Sequence, residues 1–328
     1  MHAQFLRELC ELLSGEMPFH YFTDREAAWL LARRVTEPVR LADLNGSPLG
    51  NLLQRPLLKA LAARCGDGWL RPADLAPLAD PIAALAPTAL TAPRSRAPDT
   101  ALGAADWRAY TITFTSWGMG EGNYPWNLQQ ISRPGGNLVL QLNFPQSHQV
   151  AFNRGLKPGM RKALEIAHHP IRTAGPITMA WARLDMDPWG ADLLIEELQS
   201  DWFKMVRDRV AYLRDVAPDG RELAALAAYE ALVLKRYAKD WEQALMLAVL
   251  DVAVRELGIE RIWLHQPESG ARLKNIVGVT PPRSLYTRLP KRFLFEPVRA
   301  APAFLGRREK TLKRLRAGGG PVFWRLAL

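Results

Sequence analysis

The sequence predicts a mixed α/β (α+β) fold: a mainly antiparallel sheet with a buried crossover helix, preceded by a small helical N-terminal domain. Helical periodicity marks the first 80 residues, strand-like segments follow, and one very apolar helix lies between two of the strands. We therefore divide the chain into a small helical module (1–80), a linker rich in Pro and Ala (81–105) and an α/β domain (106–328) with a basic C-terminal segment.

Three segments of the N-terminal module have the spacing of amphipathic helices, namely residues 4–13, 24–35 and 49–64. Asp24 stands where a helix N-cap belongs. Residues 81–105 have no hydrophobic period, which is typical of a linker. The helical part fits a docking or capping module or a winged-helix-like nucleic-acid binder, and the missing recognition-helix pattern favours the first.

Four strand-like segments open the α/β domain, each bounded by Gly, Pro or Asp. They are 110–117 (YTITFTSW), 137–144 (NLVLQLNF), 177–185 (ITMAWARLD) and 192–199 (DLLIEELQ). A turn containing Asp187 and Pro188 joins the last two, which should form an antiparallel hairpin. A helix over 160–167 should end at His168, His169 and Pro170.

A long helical region lies downstream, because residues 221–257 contain neither Gly nor Pro. Within it, 244–254 (ALMLAVLDVAV) is apolar on nearly every side and should be buried. Gly258 stands at a helix C-cap position and 261–265 (RIWLH) is typical of a buried strand, so a right-handed parallel crossover is expected. A helix over 282–288, a strand over 293–298, a basic helix over 307–316 and a strand over 322–327 complete the domain.

Two of these segments carry a family resemblance. Residues 241–266 (WEQALMLAVLDVAVRELGIERIWLHQ) and 284–295 (SLYTRLPKRFLF) resemble the crossover helix, following strand and Leu-Tyr ending of GCN5-related N-acetyltransferases (GNAT). The similar order of elements extends over roughly 137–298. The resemblance implies an acyl- or aminoacyl-transferase that acts on an amine with a phosphorylated donor, either acetyl-CoA or an RNA-linked group.

The resemblance also implies roles for single residues. Glu196 or Glu197 would act as the general base and Tyr286 as the general acid. Adjacent residues of a strand point to opposite faces, so the two carboxylates are not expected to work as a pair. Ordinary alternatives remain, namely a salt-bridged carboxylate for the glutamates and core packing for the tyrosine. The residues that follow, 199–201, could cap the next helix.

The family's cofactor loop corresponds here to residues 236–241, and Arg236, Lys239 and Trp241 are the candidate cofactor-binding residues. In the family, this loop holds the donor's pyrophosphate with glycine amides at a helix N-terminus. The stretch contains no glycine. A non-catalytic GNAT-like protein that binds nucleic acid or a protein partner is therefore the alternative.

A second, shorter resemblance concerns residues 194–202 (LIEELQSDW). They are similar to an IEEIQSDW segment found in uncharacterised domains of large polyvalent proteins of phages and conjugative elements. This similarity implies an origin in a mobile element or conflict system and brings no reaction with it.

Positive charge is concentrated towards the C-terminus. The net charge is +10, and residues 272–316 hold thirteen Lys or Arg against two Glu. Such a segment favours a polyanionic partner, RNA or a phosphorylated cofactor, although a solubilising surface would look the same. The residues assigned to nucleic-acid binding are Arg283, Arg288, Lys291, Arg292, Arg307, Arg308, Lys310, Lys313 and Arg314.

Several function classes lack support. No uninterrupted apolar run reaches about 18 residues, and the first residues are an amphipathic mix, so we expect a cytoplasmic protein without membrane insertion. Cys10 and Cys65 form no CxxC pair, which argues against a disulfide framework or a metal site. Walker A, HExxH and GxSxG patterns do not occur, which disfavours NTPases and hydrolases.

Two further groups of residues give weaker signals. The neighbours His168 and His169 have no third ligand at metal spacing and fit a helix end better than a metal site. Gly118, Gly120 and Gly122 fit a flexible loop. The aromatic and basic residues around this loop either stack bases or rings or belong to the core. They are Trp107, Trp117, Tyr124, Trp126 and Arg133.

Overall fold

The computed structural model describes residues 1–80, 108–118, 130–165, 169–172, 174–276, 283–307, 309–316 and 323–328. The chain divides into two compact units. The larger contains Met1–Phe19 and Tyr110–Ala327, and the smaller contains His20–Ala109 together with Leu328.

The elements up to residue 80 are mainly helical. In chain order they are α1 (Ala3–Leu12), β1 (Met17–Tyr21), α2 (Arg25–Arg34), β2 (Val39–Arg40), a 3-10 helix (Leu41–Leu44), α3 (Pro48–Leu53), α4 (Pro56–Arg64), β3 (Trp69–Leu70) and α5 (Pro72–Ala79). In the smaller unit, α2 packs on α3 and α5, and β2 pairs with β3.

The elements after residue 107 form the α/β part. In chain order they are β4 (Arg108–Trp117), β5 (Asn137–Asn143), α6 (Gln146–Gly155), α7 (Pro158–Lys162), β6 (Thr178–Met186), β7 (Asp192–Gln199), α8 (Trp202–Val216), α9 (Arg221–Arg236), α10 (Trp241–Arg255), β8 (Arg261–His265), α11 (Pro267–Lys274), α12 (Arg283–Arg292), β9 (Glu296–Val298), a 3-10 helix (Ala303–Arg307), α13 (Glu309–Arg316) and β10 (Phe323–Ala327).

The first helix does not belong to the smaller unit, which differs from the predicted module over 1–80. Helix α1 packs on β5, and the Met1 nitrogen donates to the Gly136 backbone oxygen (2.5 Å) and lies 3.1 Å from Asp185 Oδ1. These contacts place the first 19 residues with the larger unit. The predicted linker over 81–105 lies outside the described residues.

The predicted mixed α/β class with a mainly antiparallel sheet is confirmed. Within the described ranges, eight strands form one sheet in the order β1-β4-β5-β6-β7-β8-β10-β9. Strands β4 to β7 form an antiparallel meander, β7 pairs parallel with β8, and β10 pairs antiparallel with both β8 and β9.

Helix α10 is the buried crossover helix that the sequence predicts, and it contacts β5, β6 and β7. The helical region over 221–257 is interrupted, since α9 and α10 are separated by residues 237–240. Tyr237 is buried there and its ring meets that of Phe144 edge to face at 5.1 Å. An inward aromatic residue at the end of α9 explains why the helix turns without Gly or Pro.

Other bounds differ from the sequence prediction. Helix α6 was not predicted, and the helix expected over 160–167 is the shorter α7, which begins at Pro158. The strand expected over 293–298 begins only at Glu296, because α12 continues to Arg292 and Leu294 has a positive φ of 59° in the turn that follows.

Candidate functional site

The second half of β7 lies where the sheet changes its pairing. Strand β7 pairs with β6 as far as Gln199, but its parallel pairing with β8 ends at Ile195, opposite Leu264. Glu196 and His265 come next on their strands and therefore lie side by side. Side chains from other segments occupy the space beside β7 that β8 leaves.

Ser132, Glu196, His265 and Lys274 form a buried polar group in this space, which we call the Glu196 cluster. The carboxylate accepts hydrogen bonds from the Ser132 amide (3.1 Å), the Ser132 hydroxyl (2.8 Å) and His265 Nε2 (3.0 Å). Lys274 Nζ lies 3.7 Å from the carboxylate and donates to the Glu196 backbone oxygen. None of the four residues is more than 6% exposed.

The cluster keeps Glu196 ionised. Burial by itself would raise the pKa of the Glu196 carboxyl, but the hydrogen bond from His265 and the charges of His265, Lys274 and Arg183 hold this pKa well below its usual range. Burial also lowers the pKa of Lys274, an effect that the carboxylate opposes. A carboxylate with this many donors is a poor proton acceptor, so the geometry favours a structural role for Glu196 over the general-base role.

Glu197 is engaged by a different partner. It forms an ion pair with Arg183, its cross-strand neighbour on β6. The Arg183 side chain is 1% exposed and that of Glu197 19%. Arg183 Nη2 also donates to the Gln130 backbone oxygen (3.1 Å), and its guanidinium carbon lies 5.0 Å from the centre of the Trp117 ring. Glu197 therefore neutralises a buried guanidinium.

Tyr286 borders the same part of β7. It lies on α12, is buried, and the indole of Trp324 donates to its backbone oxygen (2.7 Å). Burial and the charge of Glu197 raise the pKa of the Tyr286 phenol. A hydrogen bond with the Leu198 backbone lowers this pKa but does not offset the rise. The structure thus brings the three predicted catalytic residues together, but neither of the two grooves described below is lined by them.

The candidate cofactor-binding residues lie around the start of α10. Arg236 and Lys239 are exposed, and the Trp241 ring centre lies 6.1 Å from that of Phe203. Glu242 occupies the first turn of α10, where burial raises its pKa. A carboxylate in the first turn competes with a phosphate for the positive end of the helix dipole. This end of α10 therefore does not resemble a pyrophosphate cradle.

The predicted nucleic-acid-binding residues fall into two groups. Arg283, Arg288 and Lys291 are exposed on α12, which carries no acidic residue, and Arg292 on the same helix is half-buried. The others form ion pairs or hydrogen bonds within the chain or lie outside the described residues. Arg307 pairs with Asp187 (2.7 Å), Lys313 pairs with Glu309 (3.2 Å) and Arg314 donates to the Leu273 backbone oxygen (2.9 Å). Arg308 and the side chain of Lys310 lie outside the described part of the chain.

A histidine–aspartate pair that the sequence does not predict lies at the end of β7. His169 Nδ1 is 2.5 Å from Asp201 Oδ2, and the Gln199 amide donates to Asp201 Oδ1 (2.6 Å). The register aligns Gln199 with Trp181, and the His169 ring packs edge to face on that indole at 5.7 Å. We call His169, Asp201 and Gln199 the His169 triad.

The pair shifts the protonation of both partners. The hydrogen bond that His169 donates to Asp201 raises the pKa of His169. Burial would raise the pKa of Asp201, but the hydrogen bonds from His169 and Gln199 lower it.

The capping role considered for 199–201 is wrong for these side chains. Asp201 stands at the N-cap of α8 without a side-chain capping bond, and Ser200 donates to the Met179 backbone oxygen (2.6 Å).

An open groove of about 430 Å³ borders the triad. The residues that line it include His169, Arg172, Gln141 and, from β4, Ser116 and Trp117. Gln141 donates to the Pro170 backbone oxygen (2.7 Å), which fixes the segment that carries His169. A partly exposed, carboxylate-held imidazole at a polar groove is an arrangement suited to proton transfer.

A second groove of about 320 Å³ lies between α6, α7 and Trp202.

The residues predicted to stack on bases or rings are only partly described, since Trp107, Tyr124 and Trp126 lie outside the described ranges. Trp117 stacks on Trp181 with ring centres 6.4 Å apart, and Arg133 binds both oxygens of Asp185 (2.7 and 2.9 Å).

Comparison with models of known families, with curated proteins and with solved structures finds no match to this chain. None of the helices in the described ranges has the length and apolar character that crossing a membrane requires. Within the same residues, no three His, Cys, Asp or Glu side chains converge as metal ligands.

Proposed function

We propose that this chain is a cytoplasmic group-transfer enzyme, an acyl- or aminoacyl-transferase acting on an amine, and that His169 is its proton acceptor. The main observation that supports this proposal is the His169 triad at the edge of the groove. The resemblance of 241–266 and 284–295 to GNAT enzymes supplies the reaction class, and the His169 triad replaces Glu196, Glu197 and Tyr286 as the acid–base centre.

The triad defines how the proton moves. Asp201 accepts a hydrogen bond from the protonated Nδ1 of His169, so the lone pair of the neutral imidazole is on Nε2. As the amine nitrogen bonds to the donor carbonyl carbon, Nε2 takes the amine proton. The bond from carbon to sulfur or oxygen then breaks, and the leaving thiolate or alkoxide receives that proton. The raised pKa of His169 makes it a stronger base than a free imidazole.

Arg172 supports an anionic donor or acceptor at this groove. It lines the same groove as His169, its side chain is 36% exposed, and its contact with Glu16 is long at 3.8 Å. A guanidinium with a loose partner is free to bind phosphate or carboxylate. This suits a phosphorylated donor better than the start of α10, which Glu242 occupies.

The test offers the purified chain two donors, acetyl-CoA and aminoacyl-tRNA, with a mixture of primary amines, and measures amide products by mass spectrometry. We expect product with one donor, and a loss of about 100-fold or more for His169→Gln. His2→Gln, at an exposed histidine, serves as the matched control and should keep full activity. No product with either donor, or equal rates for His169→Gln and the control, would refute the proposal.

The exposed cations of α12 favour a second candidate, a non-catalytic binder of nucleic acid. Arg283, Arg288 and Lys291 face solvent without acidic neighbours on their helix. The resemblance of 194–202 to domains of phage and conjugative-element proteins is compatible with such a role in a conflict system. RNA affinity should then fall steeply with salt and fall less steeply after charge removal at these three positions.

A further inference from the structure

The most exposed large apolar side chain among the described residues is Trp189, at 92%. It lies in the turn between β6 and β7, where the Gly190 amide donates to the Asp187 oxygen (3.1 Å). Turns at hairpin tips are normally polar, and burying an indole elsewhere would stabilise the fold. At this exposure the indole adds little to the packing of the described residues of the larger unit.

Two arginines flank this turn, and each is held by a buried carboxylate. Arg307 pairs with Asp187 (2.7 Å), and the side chains are 62% and 7% exposed. Arg261 pairs with Asp192, and the side chains are 47% and 6% exposed. The carboxylates lie beneath, so each guanidinium is fixed in place while much of it stays open to solvent.

The turn itself is firmly held. Asp192 also accepts a hydrogen bond from the Trp263 indole (2.8 Å), and a Cβ at Gly190 would come within 3.0 Å of Asp187 Cβ. These contacts limit the backbone entropy that is lost when a ligand stacks on Trp189. The 3-10 helix that carries Arg307 packs against the basic helix α13, which adds positive charge next to the turn.

We infer that Trp189, Arg261 and Arg307 form a binding site for single-stranded nucleic acid, the Trp189 site. One unpaired base stacks on the indole, and the guanidiniums contact the flanking phosphates. Stacking on an aromatic side chain tolerates any base, and Arg binds phosphate in a bidentate manner. A duplex hides the faces of its bases, so it should bind more weakly than a single strand.

The experiment measures binding of a fluorescently labelled poly-dT oligonucleotide to the full chain by anisotropy, with a duplex of equal length alongside. We expect Trp189→Ala to weaken single-strand binding about five- to hundred-fold. Trp189→Tyr, which keeps a stacking ring, should retain most of the affinity. Tyr212→Ala removes another exposed aromatic residue, 51% exposed on α8, and should change nothing.

Three results would overturn the inference. The first is equal affinity of Trp189→Ala and the unmodified chain for the single strand. The second is duplex binding as tight as single-strand binding, since that would point to charge alone. The third is Trp189-dependent binding to vesicles of anionic lipid without binding to the oligonucleotide, because the indole would then be a membrane anchor.

Discussion

The substitution Glu196→Gln should lower the free energy of unfolding of the larger unit, since Glu196 neutralises the buried ammonium group of Lys274. Glutamine keeps the size of the side chain but removes the charge opposite Lys274, which is 6% exposed and has Nζ 3.7 Å from the carboxylate. Breaking a buried ion pair from one side typically costs about 3–5 kcal/mol, because the other charge stays buried and unpaired.

The pKa of lysine gives a second value for the destabilisation by Glu196→Gln, and it is similar to the first. Lys274 can avoid the unpaired charge by losing its proton, and moving a lysine from a pKa of about 10.4 to neutral form at pH 7 costs about 5 kcal/mol. That cost is the upper limit of the destabilisation from Lys274. It shrinks by about 1.4 kcal/mol for each pH unit above 7, because the unfolded lysine binds more protons than the folded one.

The assay is urea unfolding of the full chain, followed by circular dichroism at pH 7 and pH 9. Glu222→Gln, which removes an exposed ion pair with Lys157, is the control and should cost less than about 1 kcal/mol. Adding Lys274→Met to Glu196→Gln should restore part of the lost stability. A cost for Glu196→Gln no larger than the control, or additive costs in the double variant, would refute the reasoning.

Three further predictions concern other parts of the molecule. Gly50→Ala should destabilise the smaller unit, because the new Cβ would lie 2.1 Å from the Leu44 backbone oxygen, whereas Gly66→Ala meets nothing within 4 Å; thermal unfolding of both compares them, and equal melting temperatures would contradict the clash. Burial lowers the pKa of His148 to about 3, so the unfolded chain binds the proton more readily than the folded chain does. The free energy of unfolding should therefore decrease as the pH is lowered below about 6.5, by about 2 kcal/mol between pH 7 and pH 5. This loss should be absent in His148→Phe when urea midpoints are compared. The His169 imidazole should titrate above pH 6.5 by NMR, and Asp201→Asn should bring its pKa down; an unchanged titration would argue against the His169 triad.

The strands and the buried crossover helix were predictable because their signals are local. Alternating and β-branched residues identify β4 to β7, and the apolar character of α10 identifies a helix with no solvent-facing side. Helix α6 was missed because its sequence, QSHQVAFNRG, has only a weak apolar stripe. The division of the chain was missed as well, since the contacts of Met1 with Gly136 and Asp185 are not local.

The candidate site was only partly predictable, for a related reason. The segment over 194–202 drew attention to Glu196, but its role depends on donors 64, 69 and 78 residues away, at Ser132, His265 and Lys274. His169 and Asp201 are 32 residues apart and meet only because Gln199 aligns with Trp181 across the sheet. Register and burial decide these contacts, and a single sequence does not state either.

The switch of β7 from an antiparallel to a parallel neighbour also affects the order in which the chain folds. Strands β4 to β7 are neighbours in both sequence and space, whereas β8 reaches β7 only after α8, α9 and α10 have been threaded across the sheet. Closing so long a loop is slow, so the free edge of β7 should stay bare in early intermediates. Glu196 places a negative charge on that edge until Lys274, which follows β8 in the chain, packs beside it, and charge on a bare strand discourages intermolecular pairing. The same glutamate that the finished fold buries would thus guard the nascent chain against aggregation.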